Sequence, residues 1–409
     1  MKHGYLSEYF EAIAAKRLSA VEADPGRSNQ HEFDGVTQLK KILGPAAPKK
    51  TFVAKFIYLT DDDAEPVVSD GFLTWYDARE RHPKRSECRL YFPTTTASQC
   101  FAEGDLLVIA KRPDNTILVI VAEAGSTIAS QVQWLCGLSE LMHPGFSVKG
   151  ELESDQVKLE FASRFILEQI GIEIEDTAED YLDQMLRRFG GAFPRTVEFS
   201  AFARETLPTV SSLDSPDDAL LAWFEREEVL FRTLERHLIA ERLHSGFAGD
   251  KVDDFMSFSL SVQNRRKSRA GAALQNHAAV VFHNHGLRFA TQARTENKSK
   301  PDFLFPGEAE YHDPAFDPCG LTVLGVKSTL KDRWRQVLAE AKRVPAKHLL
   351  TLEPRVSEHQ TTEMRSHQLQ LVVPRSIQGT FSPTQQAWLM SVADLILHVR
   401  DQQARLAPR

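Results

Sequence analysis

The sequence predicts two structural parts, an all-β N-terminal part and an α/β C-terminal part. Over residues 1 to about 150, short runs of β-branched and aromatic residues alternate with turn residues, a pattern typical of a barrel or a sandwich. From about residue 215, long segments with helical spacing of apolar residues precede strands that alternate with helices. The length of 409 residues fits two or three domains.

Five runs carry the β signal. They are TFVAKFIYL (51–59), FLTWY (72–76), CRLYF (88–92), DLLVIAKR (105–112) and NTILVIVAE (115–123). Turn residues such as Pro113, Asp114 and Asn115 separate neighbouring runs, as expected for strands of one sheet.

An acidic segment from Gly150 to Asp183 separates the two parts. We interpret it as one or two helices near 155–170, followed by a linker around IEIEDTAED. A solvated hinge and an acidic surface that covers a DNA cleft are both open readings. The predicted organisation is a domain over 1–172, a linker over 173–184 and a second domain over 185–409.

The C-terminal part begins with helices and continues as alternating strands and helices. The helices are predicted at 217–243, from 253, and up to Gly286. Then follow LRFATQAR, PDFLFP, LTVLGVK, a helix at 329–344, KHLLTL, a helix near 357–367, LQLVVP and a final helix at 383–404. This alternation predicts an α/β sheet.

Composition excludes several classes of protein. The net charge of −7 gives no global sign of a polyanion partner, so charge has to be read locally. The four cysteines form no close pairs, which indicates reduced thiols of a cytoplasmic protein and no zinc site. The start lacks a secretory h-region, and the most apolar stretch, Thr116 to Ala124, is too short to span a bilayer.

Two residues of the C-terminal part fit phosphodiester hydrolysis. Asp302 follows Pro301 at the start of the FLF strand, and Lys327 ends an apolar strand. A carboxylate can hold Mg²⁺, and a lysine can orient water and neutralise the charge that builds on phosphoryl oxygens. Each residue alone is compatible with an ordinary turn or a strand-end surface charge.

The second carboxylate is missing from its usual place. Nucleases of this kind carry an acid two residues before the lysine, and here that position is Gly325. The alternatives left open are Glu308, Glu310, Asp317 and Glu340. Glu340 would lie roughly 16 Å along a helix that starts near residue 329, so that helix would have to fold back across the strand. Glu340 could equally pair with Arg343.

Two basic stretches could contact DNA. The first contains Arg265, Arg266, Lys267 and Arg269, which could contact phosphates or form a solvated loop. The second is the triplet Lys331, Asp332 and Arg333 at a predicted helix start, where the residue types match guanine and cytosine edges. Helix capping explains part of this triplet, but cations at a helix start oppose the macrodipole, which favours an external anion.

Taken together, these segments resemble the EcoRII-like family of type IIE restriction endonucleases. The segments SVQNRRKSRAG, GLRFATQA, KPDFLFP, EYHD (310–313) and VKSTLKDRWRQVLAEA carry the resemblance, which covers about residues 215–375. The N-terminal part is similar more faintly, in AKRLSAVEADPG and in the segment 76–89.

The resemblance implies a restriction-endonuclease-like (PD-(D/E)xK) core that cuts double-stranded DNA at a CC–GG type site with Mg²⁺. It implies that Asp302 and Glu340 hold the metal and that Lys327 is catalytic. It also places Tyr311 near the site as a further catalytic residue and makes the triplet at 331–333 the base-reading element. One departure is Gln275, where the family predicts a glutamate, and this leaves a second metal ion in doubt.

For the N-terminal part the resemblance implies an effector DNA-binding pseudobarrel with two arms. The residues of the first arm are Lys16 and Arg17, with Ser19 and Arg27 nearby, and those of the second are Arg79, Arg81, Lys84, Arg85, Glu87 and Arg89. A homodimer and autoinhibition by this domain are further implications. The alternatives are a DNA-binding regulator that has lost the chemistry and a structure-specific repair nuclease.

Overall fold

The computed structural model describes residues 9–23, 31–61, 66–82, 85–137, 141, 145–149, 167, 179–247, 251–296, 299–330, 333–354 and 356–405. Several predictions fall outside these residues: most of the helix near 155–170, linker residues 173–178, Arg27, Lys84, Lys331 and Asp332. The chain divides into two compact units. Unit 1 is Met1–Glu175 with the short pieces Pro354–Ser357 and Thr380–Ser382, and unit 2 is the remainder.

Unit 1 contains an eight-stranded sheet with the order β2-β5-β4-β3-β7-β6-β1-β8. Its strands are β1 (Ala12–Arg17), β2 (Glu32–Phe33), β3 (Lys50–Leu59), β4 (Val67–Asp77), β5 (Cys88–Tyr91), β6 (Leu106–Lys111), β7 (Ile117–Ala122) and β8 (Ser147–Lys149). Neighbouring strands are antiparallel except for the parallel pair β3–β7. The five predicted strands are all present, and the pseudobarrel stays a prediction.

Apolar residues cover both faces of the sheet in unit 1. Val119 of β7 joins the core cluster on one face, and its neighbour Ile120 joins the cluster on the other. Successive strand residues point to opposite faces, so a continuous apolar run is expected where both faces are covered. Helix α3 (Thr127–Leu135) packs on the second face and is capped by Ser126, whose hydroxyl accepts from the backbone N–H of Ala129. Shorter helices are α1 (Ala20–Ala23) and α2 (Lys40–Leu43).

Unit 2 opens with four helices: α4 (Glu179–Phe189), α5 (Thr196–Glu205), α6 (Pro216–Ser245) and α7 (Val252–Asn284). Phenylalanines such as Phe199 and Phe231 form the core between them. Helix α4 begins inside the segment predicted as a linker. Helix α7 is one continuous helix, so the prediction of two helices separated by a basic loop is wrong.

A five-stranded mixed sheet follows, with the order β13-β12-β11-β10-β9. The strands are β9 (Ala290–Thr291), β10 (Phe303–Phe305), β11 (Thr322–Lys327), β12 (Lys347–Thr351) and β13 (Leu369–Val372). β11, β12 and β13 run parallel, whereas β9–β10 and β10–β11 are antiparallel pairs. The remaining helices are α8 (Glu308–His312), α9 (Trp334–Leu338), α10 (Glu358–Ser366), α11 (Arg375–Gln378), α12 (Pro383–Gln386) and α13 (Val392–Arg405).

The two faces of this sheet are covered differently. On one face Phe282 of α7 packs edge-on against Phe303 and Phe305, with ring centroids 5.2 and 5.5 Å apart. On the other face Leu304 and Val323 pack with the segment that follows α9. Among the described residues, no helix combines the length and the apolar character that crossing a membrane requires.

Two predicted helices differ from the structure. The helix predicted at 329–344 is reduced to α9, which spans five residues, Trp334–Leu338. The helix predicted at 383–404 is divided into α12 and α13, because Met390 leaves the helical path and bridges to Val372 beside the sheet. The first difference decides the geometry of the site.

Candidate active site

An aspartate and a lysine meet where β10 begins and β11 ends. The Oδ2 atom of Asp302 accepts hydrogen bonds from Nζ of Lys327 at 3.0 Å and from the backbone N–H of Val326 at 2.7 Å. The antiparallel register pairs Phe303 with Leu324, so Asp302, one residue earlier, lies beside the last residues of β11. The side chains of Asp302 and Lys327 keep 15% and 20% of their surface exposed, so the pair is accessible to a ligand.

Glu340 reaches this pair because α9 is short. The helix ends at Leu338, and Ala341 adopts a left-handed backbone with φ of 46°, which turns the chain back toward the sheet. Burial raises the pKa of Glu340, the charge of Asp302 raises it further, and the ammonium of Lys327 lowers it. The three side chains therefore share one electrostatic environment, and the long helix that separated them in the sequence analysis does not exist.

Gly325 explains why the acid is absent from the strand. It lies two residues before Lys327, on the face of β11 that α9 covers. A Cβ atom built on Gly325 would lie 2.6 Å from Cγ2 of Val337 and 3.5 Å from Cδ1 of Leu349. The helix occupies the space that an aspartate or glutamate at position 325 would need, and the same helix delivers Glu340.

The residues present fit a hard divalent cation. The Oε2 atom of Glu340 is buried and has no hydrogen-bond partner among the described residues. The Oδ1 atom of Asp302 has one long contact, 3.5 Å from Nε2 of Gln292. Carboxylate oxygens with free lone pairs are the ligands that Mg²⁺ prefers, and Mg²⁺ commonly takes one or two carboxylates together with water and phosphate. The described residues contain no cluster of three or more histidine, cysteine, aspartate or glutamate side chains suited to a metal.

Gln275 lies beside the same pair. From α7 its Nε2 atom approaches the backbone oxygen of Asp302 at 3.5 Å. The amide is neutral, so it can orient a neighbouring group but adds no negative charge for a second cation.

Lys347 is a residue that the sequence analysis missed. It begins β12, is buried, and donates from Nζ to the backbone oxygen of Val344 at 2.9 Å. Burial lowers the pKa of Lys347, whereas Glu340 raises it. This ammonium is a positive charge close to Glu340, and the available signal was a lysine that opens the predicted strand KHLLTL.

Tyr311 holds the turn after Glu340. Its hydroxyl donates to Oε2 of Glu296 at 2.5 Å, and the same carboxylate accepts from the backbone N–H of Lys342 at 3.2 Å. Burial and the hydrogen bond to Glu296 raise the pKa of Tyr311 to about 12. A hydroxyl so placed positions the 341–343 turn, which revises the catalytic role predicted for Tyr311.

Arg343 fixes the same turn from the other side. Its guanidinium donates to the backbone oxygens of Tyr311, Asp313 and Phe316. Its bonds recorded in the described part of the chain do not include Glu340. The surface pairing of Glu340 with Arg343 that the sequence allowed is therefore not formed.

Part of the basic run in α7 is structural. Arg269 is buried, donates to the backbone oxygen of Pro194, and stacks over the rings of Phe199 and Phe231 at 5.3 and 5.1 Å. Burial lowers the pKa of its guanidinium. Because the guanidinium of Arg269 makes these internal contacts, it is not available for the DNA contact predicted for it.

The other three residues of the run differ from one another. Arg266 pairs with the buried carboxylate of Glu235 at 2.7 Å. Arg265 stacks over Phe193 at 4.3 Å and is partly buried, whereas Lys267 is exposed. All of them lie in the middle of α7, so they do not form the solvated loop that the sequence allowed. Their different environments also mean that they do not form one continuous phosphate-binding stretch.

Arg333 is the described member of the predicted base-reading triplet. It is exposed and directly precedes α9, and its backbone N–H bonds to the oxygen of Leu330 at 2.8 Å. Its side chain thus projects at the helix start, six residues beyond Lys327.

Lys16 of the first predicted arm is enclosed. Its Nζ atom donates to Oε1 of Glu22 at 2.6 Å and to the backbone oxygen of Asp34 at 2.9 Å, and both charged side chains are buried. Lys16 cannot contact DNA without breaking this pair, which corrects its predicted role. Arg17 is partly buried and donates to Gly104 and Gln133 at 3.4 Å.

The second predicted arm is the connection between β4 and β5. Arg79 pairs with Glu87 at 2.6 Å, and Arg89 pairs with Glu87 and Glu32 at 2.8 and 3.0 Å. Hydrogen bonds from Arg89 and Arg79 lower the pKa of Glu87.

Two further residues of the second arm, Arg81 and Arg85, are exposed. The arm therefore offers cations at its tip and an alternating ion-pair network at its base. Such a network can rearrange around a phosphate at small cost, because exposed pairs contribute little stability.

Most of the second unit is similar to known proteins. Residues 231–396 match the protein family described as EcoRII C terminal. This part of the chain is EcoRII-like. The Type II restriction enzyme EcoRII of Escherichia coli is 44% identical over 187 residues, which is 46% of this chain and 46% of that enzyme. The chain thus matches about half the length of this EcoRII relative.

Two solved structures are also similar to the chain. Metal-depleted Ecl18kI in complex with uncleaved, modified DNA has 15% identity and a TM-score of 0.46, covering 56% of this chain and 85% of that one. A PspGI–substrate DNA complex has 16% identity and a TM-score of 0.43, covering 52% and 94%. The mixed sheet and the EcoRII family match together give the second unit a restriction-endonuclease-like fold.

Proposed function

We propose that the chain is a type II, site-specific endonuclease that hydrolyses double-stranded DNA with Mg²⁺. The observation that carries this proposal is the meeting of Asp302, Lys327 and Glu340, in which a buried carboxylate oxygen of Glu340 lacks a partner among the described residues. A buried acid without a partner is costly, so its retention indicates a ligand that compensates it. The EcoRII likeness supports the same class of reaction.

Asp302 and Glu340 would hold the cation. When bound, a divalent cation polarises the phosphoryl group and makes a bound water more acidic. The ammonium of Lys327 then lies beside the reacting phosphate, where it can donate to the attacking water or to a nonbridging oxygen on which charge builds. Gln275 and Lys347 would support these residues without contacting the substrate. Gln275 would orient the backbone of Asp302, and Lys347 would place a positive charge near Glu340.

Specificity would come from the start of α9. Arg333, with Lys331 and Asp332 before it, would read the flanking pairs of a CC–GG type site, because arginine and lysine match guanine O6 and N7 and aspartate accepts from cytosine N4. Such a site is palindromic apart from its centre, and two copies of the chain related by a two-fold axis would match it.

Unit 1 would bind a second, effector copy of the site. Arg79, Arg81, Arg85 and Arg89 supply the cations for such contacts, with Lys84 and Glu87 between them. In the absence of effector DNA this unit would restrain cleavage. A truncated chain that starts near residue 180 should then cut single-site plasmids faster than the whole chain does.

The nuclease proposal is tested with plasmid digests in Mg²⁺ and sequencing of the cut ends. Lys327→Ala should abolish cleavage and retain specific DNA binding, because Lys327 acts on the scissile phosphate. Lys251→Ala is the matched control, since it removes an exposed lysine whose 3.7 Å surface pair contributes little. Cleavage by Lys327→Ala at the normal rate, or cut ends without a common sequence, would refute the assignment.

A DNA-binding regulator without cleavage activity is the second candidate. Gln275 favours it, because an amide replaces an acid beside Asp302. Sequence-specific binding by the wild-type chain without any Mg²⁺-dependent cleavage would establish this alternative.

A further inference from the structure

A glutamine faces one carboxylate oxygen of Asp302. The antiparallel strands β9 and β10 pair Thr291 with Phe303, so Gln292 and Asp302, the next residues outward, lie opposite each other. The Nε2 atom of Gln292 is 3.5 Å from Oδ1 of Asp302. The second oxygen, Oδ2, already accepts from Lys327 and from the backbone of β11. Gln292 therefore lies at the oxygen of Asp302 that is left for a cation.

The backbone of Gln292 is strained. Its φ of 53° lies in the left-handed region, which is costly for a residue with a Cβ atom. The side chain is exposed, so its own burial does not offset this cost. Strained residues of this kind concentrate at sites that bind ligands. The conformation and the exposed amide together indicate a functional role for Gln292.

The segment that starts at Gln292 also holds the turn after Glu340. Four residues further along, Glu296 accepts from the hydroxyl of Tyr311 at 2.5 Å and from the backbone N–H of Lys342 at 3.2 Å. One short segment, 292–296, thus contacts the elements that carry both candidate metal ligands.

We propose that the side-chain oxygen of Gln292 is a third protein ligand of the Mg²⁺ that Asp302 and Glu340 would hold, an inference that rests on the proposed nuclease function. An amide group carries a donor nitrogen and an acceptor oxygen, which exchange places when the group turns by 180°. The turned amide directs Oε1 to the position beside Oδ1 of Asp302. Carbonyl oxygens are suitable ligands for hard divalent cations.

Gln275 is placed differently from Gln292. It approaches the backbone oxygen of Asp302 from α7, whereas Gln292 faces the carboxylate from the end of β9. Of these two glutamines, Gln292 is therefore the one positioned at a candidate metal ligand.

The test is calorimetric titration of the full chain with Mn²⁺ in the absence of DNA, so its result is independent of cleavage. Glycine adopts a φ near 53° without a steric penalty, so Gln292→Gly removes the side chain and keeps the backbone. This variant should bind Mn²⁺ roughly 10-fold more weakly than the wild-type chain.

Gln368→Gly is the matched control. Gln368 is also exposed and left-handed, with φ of 54°, but it precedes β13 at the opposite edge of the sheet. Its replacement should leave Mn²⁺ affinity at the wild-type value.

Gln292→Glu distinguishes a metal ligand from a hydrogen-bond donor. A carboxylate cannot donate to Asp302 but can bind a cation, so a ligand at this position should give Mn²⁺ binding at pH 8 at least as tight as in the wild-type chain. A glutamate variant that binds more weakly than Gln292→Gly, or a Gln292→Gly protein with wild-type affinity, would overturn the assignment. A wild-type chain that binds no Mn²⁺ would instead refute the metal site of the proposed nuclease, and this ligand with it.

Discussion

Gly325 and Val337 lie in such close contact that no side chain fits between them. A Cβ atom at position 325 would approach Cγ2 of Val337 to 2.6 Å, a distance that ordinary packing never shows. The contact joins β11, which ends in Lys327, to α9, which is followed by Glu340. The spacing between Lys327 and Glu340 therefore depends on a glycine whose close contact is with Val337.

Gly325→Ala should displace α9 and with it Glu340. We expect a loss of about 1–3 kcal/mol in unfolding free energy, as for other overpacked cores, together with weaker Mn²⁺ binding and slower cleavage. Calorimetric titration with Mn²⁺ in the absence of DNA measures the change in Mn²⁺ binding directly.

The double variant Gly325→Ala with Val337→Ala tests whether the displacement of Glu340 is caused by the steric clash between the new Cβ and Val337. Removing the methyl groups of Val337 makes room for the new Cβ, so Mn²⁺ affinity should return toward the wild-type value although Val337→Ala alone leaves a cavity. A double variant that binds Mn²⁺ no better than Gly325→Ala would contradict the link between this contact and Glu340.

Glu340→Gln should stabilise the metal-free protein at neutral pH while it abolishes Mn²⁺ binding. Burial and Asp302 raise the pKa of Glu340 in the folded state, so the folded protein binds more protons than the unfolded chain and its stability falls as the pH rises through that pKa. The amide does not ionise and escapes this loss. Melting temperatures of both proteins from pH 4 to pH 8, without metal, should diverge as the pH increases; a constant difference would argue against the raised pKa.

The same pKa predicts the pH dependence of metal binding. Only ionised Glu340 can ligate a cation, so Mn²⁺ affinity should begin to fall on acidification at a higher pH than an ordinary glutamate, with its pKa near 4.3, would give. Titrations at stepped pH measure this; an affinity that holds down to the ordinary glutamate range would show that Glu340 is not a ligand.

Tyr311→Phe should loosen the turn after Glu340 without removing the chemistry. Loss of the hydrogen bond to Glu296 should cost about 0.5–1.5 kcal/mol of stability, and cleavage should fall less than tenfold. Lys327→Ala, measured in the same single-turnover assay, should instead lose all detectable cleavage. A loss of 100-fold or more for Tyr311→Phe at full stability would return Tyr311 to a catalytic role.

Arg269→Met should lower the stability of the protein, whereas Arg333→Ala should lower the specificity of DNA binding. Arg269→Met removes a buried hydrogen bond and two aromatic contacts, so it should lower stability by about 1–3 kcal/mol and leave the salt dependence of DNA binding unchanged. Arg333→Ala should leave stability unchanged and cost roughly 1–3 kcal/mol of discrimination at one base pair. Thermal melts and binding to single-substitution DNA duplexes measure the two quantities; uniform weakening by Arg333→Ala on all duplexes would place Arg333 on phosphate.

The sequence predicted strands better than the length of helices. Runs such as ILVIVA in β7 are short and rich in β-branched residues, which favours a strand over a helix, and they appear where expected. β1, with the sequence AIAAKR, was missed because three alanines carry no strand preference and its burial comes from its neighbours β6 and β8.

The sequence analysis named Asp302, Lys327 and Glu340 as site residues but did not predict the geometry that brings them together. Asp302 precedes β10 and Lys327 ends β11, and the antiparallel pairing of these strands brings the two residues close to each other. The helix that carries Trp334 and Val337 has an apolar stripe that continues to Ala341, so periodicity extended it too far. What ends it is the left-handed backbone of Ala341, and no sequence rule assigns that conformation to an alanine.

The partners of the basic residues in α7 could not be predicted from local sequence either. The sequence predicted a DNA contact for Arg265, Arg266 and Arg269, but phenylalanines and a buried glutamate from other parts of the chain contact their guanidinium groups. Those partners are 31 to 75 positions away in the chain for Arg266 and Arg269, and local sequence gives no sign of them.

The continuity of α7 restricts which insertions and deletions the chain can accept. One uninterrupted helix joins Phe258, which packs against Phe247, to Gln275, which approaches Asp302, so adding or removing a single residue between them would rotate one end against the other by about 100°. Amino-acid exchanges in that span keep both ends in phase, and so does the loss or gain of seven residues. Natural variants of this chain should therefore differ there in composition, and in length only by steps of about seven residues.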